Sequence, residues 1–154
     1  MIKLKKAEKS DCPLLHRIQT ESFASLLTKY RDYSTNPAAE PLDKIYMRFD
    51  QEYTDYYLIL EGASIAGMLR VCNYGAKCRL SPICILPEFR GRGYACAAIN
   101  IMETLYPKAA YWELDTILQE DALCRFYEKL GYVQTGEYRN IKEGMDLVFY
   151  QKQI

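Results

Sequence analysis

The sequence predicts one α/β domain, residues 1–154, built on a mixed sheet of about six to seven strands with helices on both faces. Three observations predict it. Residues 80–106 read as strand, glycine loop and helix, and residues 111–117 read as another strand, so the two strands should pair in parallel through a right-handed crossover. Strand pairs flank this unit, 55–61 with 65–72 before it and 132–138 with 145–151 after it. No repeat, low-complexity segment or linker interrupts the chain, and its length suffices for one core without staples.

Taken in order, Ile2-Lys3-Leu4-Lys5 alternates apolar and polar residues, as a short edge strand does. Ser10 or Asp11 can cap the helix that follows, with Pro13 tolerated in its first turn. Leu15, Ile18, Ser22 and Leu26 trace one face of it. Residues 30–40 are polar, contain Asn36-Pro37, and read as a loop. Pro41 opens a second helix with Leu42, Ile45, Tyr46 and Phe49 on one side. Gly62-Ala63 turns the first hairpin, and Asn73-Tyr74-Gly75 leads into the strand ending at Leu86. Pro87 closes that strand, because it has no N–H for a ladder.

The next helix carries Ala95, Ala98, Ile99, Met102, Leu105 and Tyr106 at helical spacing and stops before Pro107. Residues 121–130 form a second amphipathic helix through Leu123, Phe126, Tyr127 and Leu130, with Gly131 suited to its C′ position. Antiparallel strands turning around residues 140–144 finish the chain.

Between strand and helix lies Arg90-Gly91-Arg92-Gly93-Tyr94-Ala95. A helix that starts in a glycine turn presents unpaired N–H groups and the positive end of its dipole at one point. That point is a phosphate site, and Arg90 and Arg92 add charge suited to phosphate oxygens. A plain connecting turn would look similar. A dinucleotide fingerprint would need Gly or Ala where Cys96 stands, although Asp115 lies about 20 residues on, as that motif wants. A Walker loop would need Gly-Lys-Ser/Thr, which is absent.

Charge excludes some partners. Lys plus Arg and Asp plus Glu both number 20, so no global field for nucleic acid or an anionic membrane exists. The early lysines 3, 5, 6 and 9 precede no long apolar run, so neither a signal peptide nor a membrane span is expected. Six cysteines without a Cys-x-x-Cys pair, beside the single His16, form no metal-ligand cluster. Reduced, packed cysteines point to the cytoplasm.

Arg90-Gly91-Arg92-Gly93-Tyr94-Ala95 resembles the Arg/Gln-x-x-Gly-x-Gly/Ala pattern of the GNAT superfamily of N-acetyltransferases. Ile85-Leu86-Pro87-Glu88-Phe89 is similar to that family's strand end. Phe126-Tyr127-Glu128-Lys129-Leu130-Gly131-Tyr132 is similar to its second signature. The match covers residues 80–135; the N-terminal third matches in element order only. The resemblance implies a direct acetyl transfer from acetyl-CoA to an amine, a small molecule or a peptide. No metal is expected from the residues, and the resemblance leaves room for a homodimer.

Carried over residue by residue, the resemblance gives the pyrophosphate to the backbone of Gly91, Arg92, Gly93, Tyr94 and Ala95, with charge from Arg90 and Arg92. The pantetheine arm would lie between two parallel strands that splay apart, the first of them residues 80–86; the backbone N–H near Ile85 would face the thioester oxygen, and Leu86 would touch the arm. A backbone donor aimed at a developing oxyanion is worth ~3–4 kcal/mol. From residue pattern alone Tyr127 is a core aromatic beside Phe126; the resemblance makes it the general acid for the departing thiolate. Where the family often has Asn, this chain has Glu120, which accepts but does not donate hydrogen bonds when ionised.

The general base stays open among Glu113, Asp115 and an ordered water. His16 reads as a surface or capping residue. Tyr46, Tyr53, Tyr56, Tyr57 and Tyr74 would line an acceptor pocket or simply pack. Glu40, Asp43, Asp50 and Glu52 suit a cationic acceptor or a solvated helix equally. A catalytically idle acyl-CoA-binding module and a nicotinamide oxidoreductase are the readings from other classes.

Overall fold

In the computed structural model, which describes residues 1–154, seven strands form one sheet in the order β1-β2-β3-β4-β5-β7-β6. The strands are β1 Ile2–Lys6, β2 Thr54–Glu61, β3 Ser64–Asn73, β4 Lys77–Ile85, β5 Tyr111–Ile117, β6 Val133–Lys142 and β7 Met145–Gln153. The helices are α1 Cys12–Tyr30, α2 Leu42–Phe49, α3 Tyr94–Thr104 and α4 Asp121–Lys129. Only β4 and β5 run parallel; every other neighbour is antiparallel.

Alternation along the strands makes two cores. Leu69, Val71, Leu80, Trp112, Leu114 and Val148 face α3 and α4, meeting Ala98, Ile99, Met102 and Cys124. Tyr56, Leu58, Met68 and Cys84 face the other way, onto Cys12, Leu15 and Ile18 of α1 and Ile45 of α2. Successive residues point to opposite faces, so neighbours such as Tyr56 and Tyr57 serve different cores. Each fully buried aliphatic or aromatic side chain contributes ~1.5–3 kcal/mol.

The expected elements are present, with local differences. A short 3-10 turn, Lys9–Asp11, precedes α1, and Asp11 Oδ2 accepts the Glu8 N–H at 2.8 Å. Asp11 thus closes that turn and makes no side-chain cap on α1. Leu105, expected in the core, is exposed because α3 ends at Thr104. Tyr132 precedes β6, packs in the core and donates to Glu103 Oε2 at 2.9 Å. Gly131 does take the positive φ, 96°, of a C′ residue. All six cysteines are unpaired and five are buried.

One close approach matters for the site. A Cβ on Gly67 would lie 2.1 Å from the Cys84 carbonyl oxygen, so β3 meets the end of β4 only because residue 67 has no side chain.

Candidate active site

β4 and β5 pair at Lys77–Tyr111, Cys78–Trp112 and Arg79–Glu113, and then separate. A register shift on the β3 side accompanies the separation, between Leu69 and Val71. A gap therefore opens between the second half of β4 and the second half of β5.

Leu86 N–H donates to Ala66 O at 2.8 Å, which makes Gly67–Ile85 a non-hydrogen-bonded pair. The N–H and C=O of Ile85 consequently point away from β3, toward the gap. Leu86 itself lies just past the strand, buried against the α1 and α2 core.

Beyond Leu86 the chain forms a 3-10 turn, Pro87–Phe89, and then the loop. Gly91 and Gly93 have φ of 75° and 78°, where a side chain would be strained. A Cβ on either would meet nothing within 4 Å, so the space above both glycines is open. The first hydrogen bond of α3 is Ala97 N–H to Gly93 O. The N–H groups of residues 91–96 consequently donate to no backbone acceptor. Six donors line one bend of chain. They border a groove of about 280 Å³ walled by Ile85, Phe89, Gly91, Tyr94, Cys96 and Phe126.

The two loop arginines behave differently. Arg92 is exposed, its guanidinium 5.7 Å from the Phe89 ring centroid. Arg90 is engaged by carbonyls: Nε donates to Ile85 O at 3.1 Å and Nη2 to Ser22 O at 2.5 Å. Its guanidinium fastens the loop to β4 and α1, a task that differs from the phosphate charge expected of it.

Tyr127 projects from α4 into the core on the α3 and α4 face of the sheet. It is buried, edge-on to Phe126 and to Tyr132. Burial pushes its phenol pKa up, and the charge of Asp115 and the Cys84 thiol push the same way. Those two residues belong to opposite walls of the gap. The phenol therefore stays protonated, and its setting makes it a weaker acid, the reverse of the help a thiolate leaving group would need.

The carboxylates left open as bases also separate. Glu113 sits at the last β4–β5 pair and lies near Lys77 Nζ, at 3.3 Å, and Arg79 Nη1, at 3.8 Å. Asp115 lies one step further along the same face, on the gap itself, in an ion pair with Arg79.

Glu120 is half-buried and faces α1: Tyr30 Oη donates to its Oε2 at 2.5 Å, and Lys29 Nζ is 2.6 Å from the same oxygen. Those hydrogen bonds hold its carboxyl below the usual carboxylate range.

Other expected residues lie elsewhere. Tyr56 and Tyr57 face opposite cores and cannot line one pocket, while Tyr53 and Tyr74 stack together with centroids 5.1 Å apart. Glu40 is turned inward onto Arg48, Gln19 and Lys44, and Asp50 pairs with Lys9. His16 Nε2 lies 2.8 Å from Glu40 O, a link between α1 and the segment that leads into α2. Phe126, Cys96, Ser22 and Tyr30 joined the site only in three dimensions. Ser22 and Tyr30 are separated from their partners by 68 and 90 residues, beyond any local motif.

A family model described as "Acetyltransferase (GNAT) domain" matches residues 29–154. Among solved structures, the ribosomal-protein-S18-alanine N-acetyltransferase from Escherichia coli superposes with a TM-score of 0.80 at 15% identity, covering 100% of this chain and 94% of that one. An acetyltransferase from Thermus thermophilus gives 0.75 at 18% identity, over 100% and 97%. The spermidine N-acetyltransferase from Vibrio cholerae, in complex with CoA and spermine, gives 0.78 at 15% identity, over 99% and 95%. No curated protein matches the chain in sequence.

Proposed function

The chain belongs to the GNAT acetyltransferase family, and on that premise we propose that it moves an acetyl group from acetyl-CoA to an amine within a ternary complex. One observation carries the reading: the N–H groups of residues 91–96 have no backbone acceptor and border one open groove at the start of α3. Such donors, with the dipole of α3 behind them, suit a pyrophosphate. Gly91, Arg92, Gly93, Tyr94 and Ala95 hold it through backbone, and Arg92 adds exposed charge. Arg90 keeps the loop in place from below.

The gap between β4 and β5 then takes the pantetheine arm as an extra strand, beside Leu86. Ile85 N–H, already aimed into the gap, polarises the thioester carbonyl as the amine attacks. The acetyl carbon–sulfur bond breaks and the thiolate leaves toward Tyr127. A phenol with a raised pKa serves there first as a hydrogen-bond donor to the developing negative charge. Proton delivery follows as the thiolate forms. Asp115, on the gap wall, is the carboxylate placed to accept the proton of the attacking amine, directly or through water.

An amine acceptor is supported by the neighbours whose names carry alanine and spermidine acetylation. The raised Tyr127 pKa and the pairing of Asp115 with Arg79 favour one rival, an acyl-CoA-binding module without turnover. Thiol release from acetyl-CoA across a panel of amines separates the two. Turnover with at least one amine supports the enzyme, and tight binding with no turnover supports the module.

A further inference from the structure

Helix α1 is fastened on both sides of the gap. On the β4 side, Arg90 Nη2 donates to Ser22 O at 2.5 Å. On the β5 side, Tyr30 Oη donates to Glu120 Oε2 at 2.5 Å, with Lys29 Nζ at 2.6 Å. Arg90 follows the end of β4 and Glu120 follows the end of β5, the ends at which the strands have separated.

The spacing of these fastenings has a physical meaning. Ser22 and Tyr30 are eight residues apart on one helix, about 12 Å at the α-helical rise. Two strand spacings, the room that one extended chain needs between β4 and β5, come to about 10 Å. The helix is therefore tied to both walls at points a comparable distance apart along its axis, with the Arg90, Tyr30 and Glu120 side chains reaching across the rest. Glu120, although it occupies the N-cap of α4, makes no side-chain cap hydrogen bond there. Its carboxylate is given over to α1.

We propose that Glu120 is a positioning residue of the transfer reaction: by holding Tyr30 and Lys29 it ties the β5 wall to α1 and sets the width of the gap for the pantetheine arm. This rests on the reading that the gap receives acetyl-CoA. Without the tie, the β5 side can drift outward, and an arm entering the gap must order it again. The nucleotide end sits on the loop and does not depend on the tie.

Calorimetry with two probes tests this. Coenzyme A carries the arm; 3′-phosphoadenosine 5′-diphosphate is its nucleotide half without the arm. In Tyr30→Phe and in Glu120→Ala the Kd for coenzyme A rises roughly five- to fiftyfold, within the range of typical coupling between sites, while the Kd for the nucleotide half stays as in the wild type. The double variant is no weaker than the weaker single one, because both remove one tie. Glu120→Gln keeps an oxygen for Tyr30 and recovers part of the loss.

Unchanged coenzyme A affinity in the folded variants overturns the proposal, as does equal weakening of both probes or simple additivity of the two substitutions. If Glu120→Ala fails to fold, Tyr30→Phe alone decides. Failure of the wild type to bind either probe overturns the donor reading itself, and is thereby told apart from failure of the tie.

Discussion

Arg90 and Ser22 are joined by a 2.5 Å hydrogen bond from guanidinium Nη2 to a carbonyl oxygen in the middle of α1, across 68 residues of sequence. The same guanidinium reaches Ile85 O through Nε at 3.1 Å. A single side chain thus couples the glycine loop, the end of β4 and the helix over them. Arg90→Ala should loosen the loop, costing about 1.5–3 kcal/mol for hydrogen bonds from a charged donor. Coenzyme A affinity should fall with it, and Arg90→Lys should restore only part, having no fork for two carbonyls. Urea titration and calorimetry on the two variants check this.

Gly67 makes a second prediction. The 2.1 Å approach of a Cβ to the Cys84 carbonyl involves backbone, which cannot swing aside as a flexible side chain would. Gly67→Ala should therefore cost about 1–3 kcal/mol as an overpacking change. It should also displace Ile85, opposite residue 67, and so lower kcat where a remote stability loss would not. A stable variant with full activity would show that β3 can shift at no cost.

The Glu40–Arg48 pair predicts a pH effect on stability. Burial alone would raise the Glu40 carboxyl pKa, but two hydrogen bonds from Arg48, at 2.7 and 2.6 Å, and one from Gln19 hold it below the usual carboxylate range. A carboxyl depressed in the folded state stabilises above its unfolded pKa, about 4.3, and loses that contribution as pH falls through the folded value. Stability should thus decline in acid below about pH 4.3, and Glu40→Gln should flatten that part of the decline. Breaking the half-buried pair with Glu40→Ala should cost about 1.5–3 kcal/mol, the range for hydrogen bonds to a charged group, read from urea midpoints.

Tyr127→Phe keeps the ring among Phe126, Tyr132 and Tyr150 and removes one hydroxyl. Packing, and with it the melting temperature, should change little. If the hydroxyl serves the departing thiolate, kcat and kcat/KM fall together by about 10²–10⁴-fold. Steady-state kinetics with any accepted amine measures it. Full activity would return Tyr127 to the core.

Much of this architecture was legible in the chain because it rests on local periodicity. The glycine loop, the strand before it and the helix after it follow from Pro87, two glycines and the spacing of Ala98, Ile99 and Met102. The separation of β4 from β5 leaves no mark in residue periodicity; the family resemblance implies it, and the pairing, which stops at Arg79 and Glu113, shows where it begins. Arg90 was read as phosphate charge because a motif says which residue stands in a loop and not where its long side chain turns. Tyr56 and Tyr57 looked alike in a tyrosine-rich run, yet strand alternation sends them to different cores. The acidic residues around α2 looked available, yet Glu40, just before it, faces Arg48.

The most direct measurement is a ¹⁵N amide titration of the wild-type protein with coenzyme A and, separately, with pantetheine. In the proposed complex the free N–H groups of residues 91–96 hold the pyrophosphate and the β4–β5 gap holds the arm. Coenzyme A should then shift the amides of Gly91, Arg92, Gly93, Tyr94 and Ala95 together with Ile85 and Leu86. Pantetheine, which has no pyrophosphate, should move Ile85 and Leu86 and leave the loop amides in place. Loop amides that stay still under saturating coenzyme A, or that move equally with pantetheine, would contradict the account.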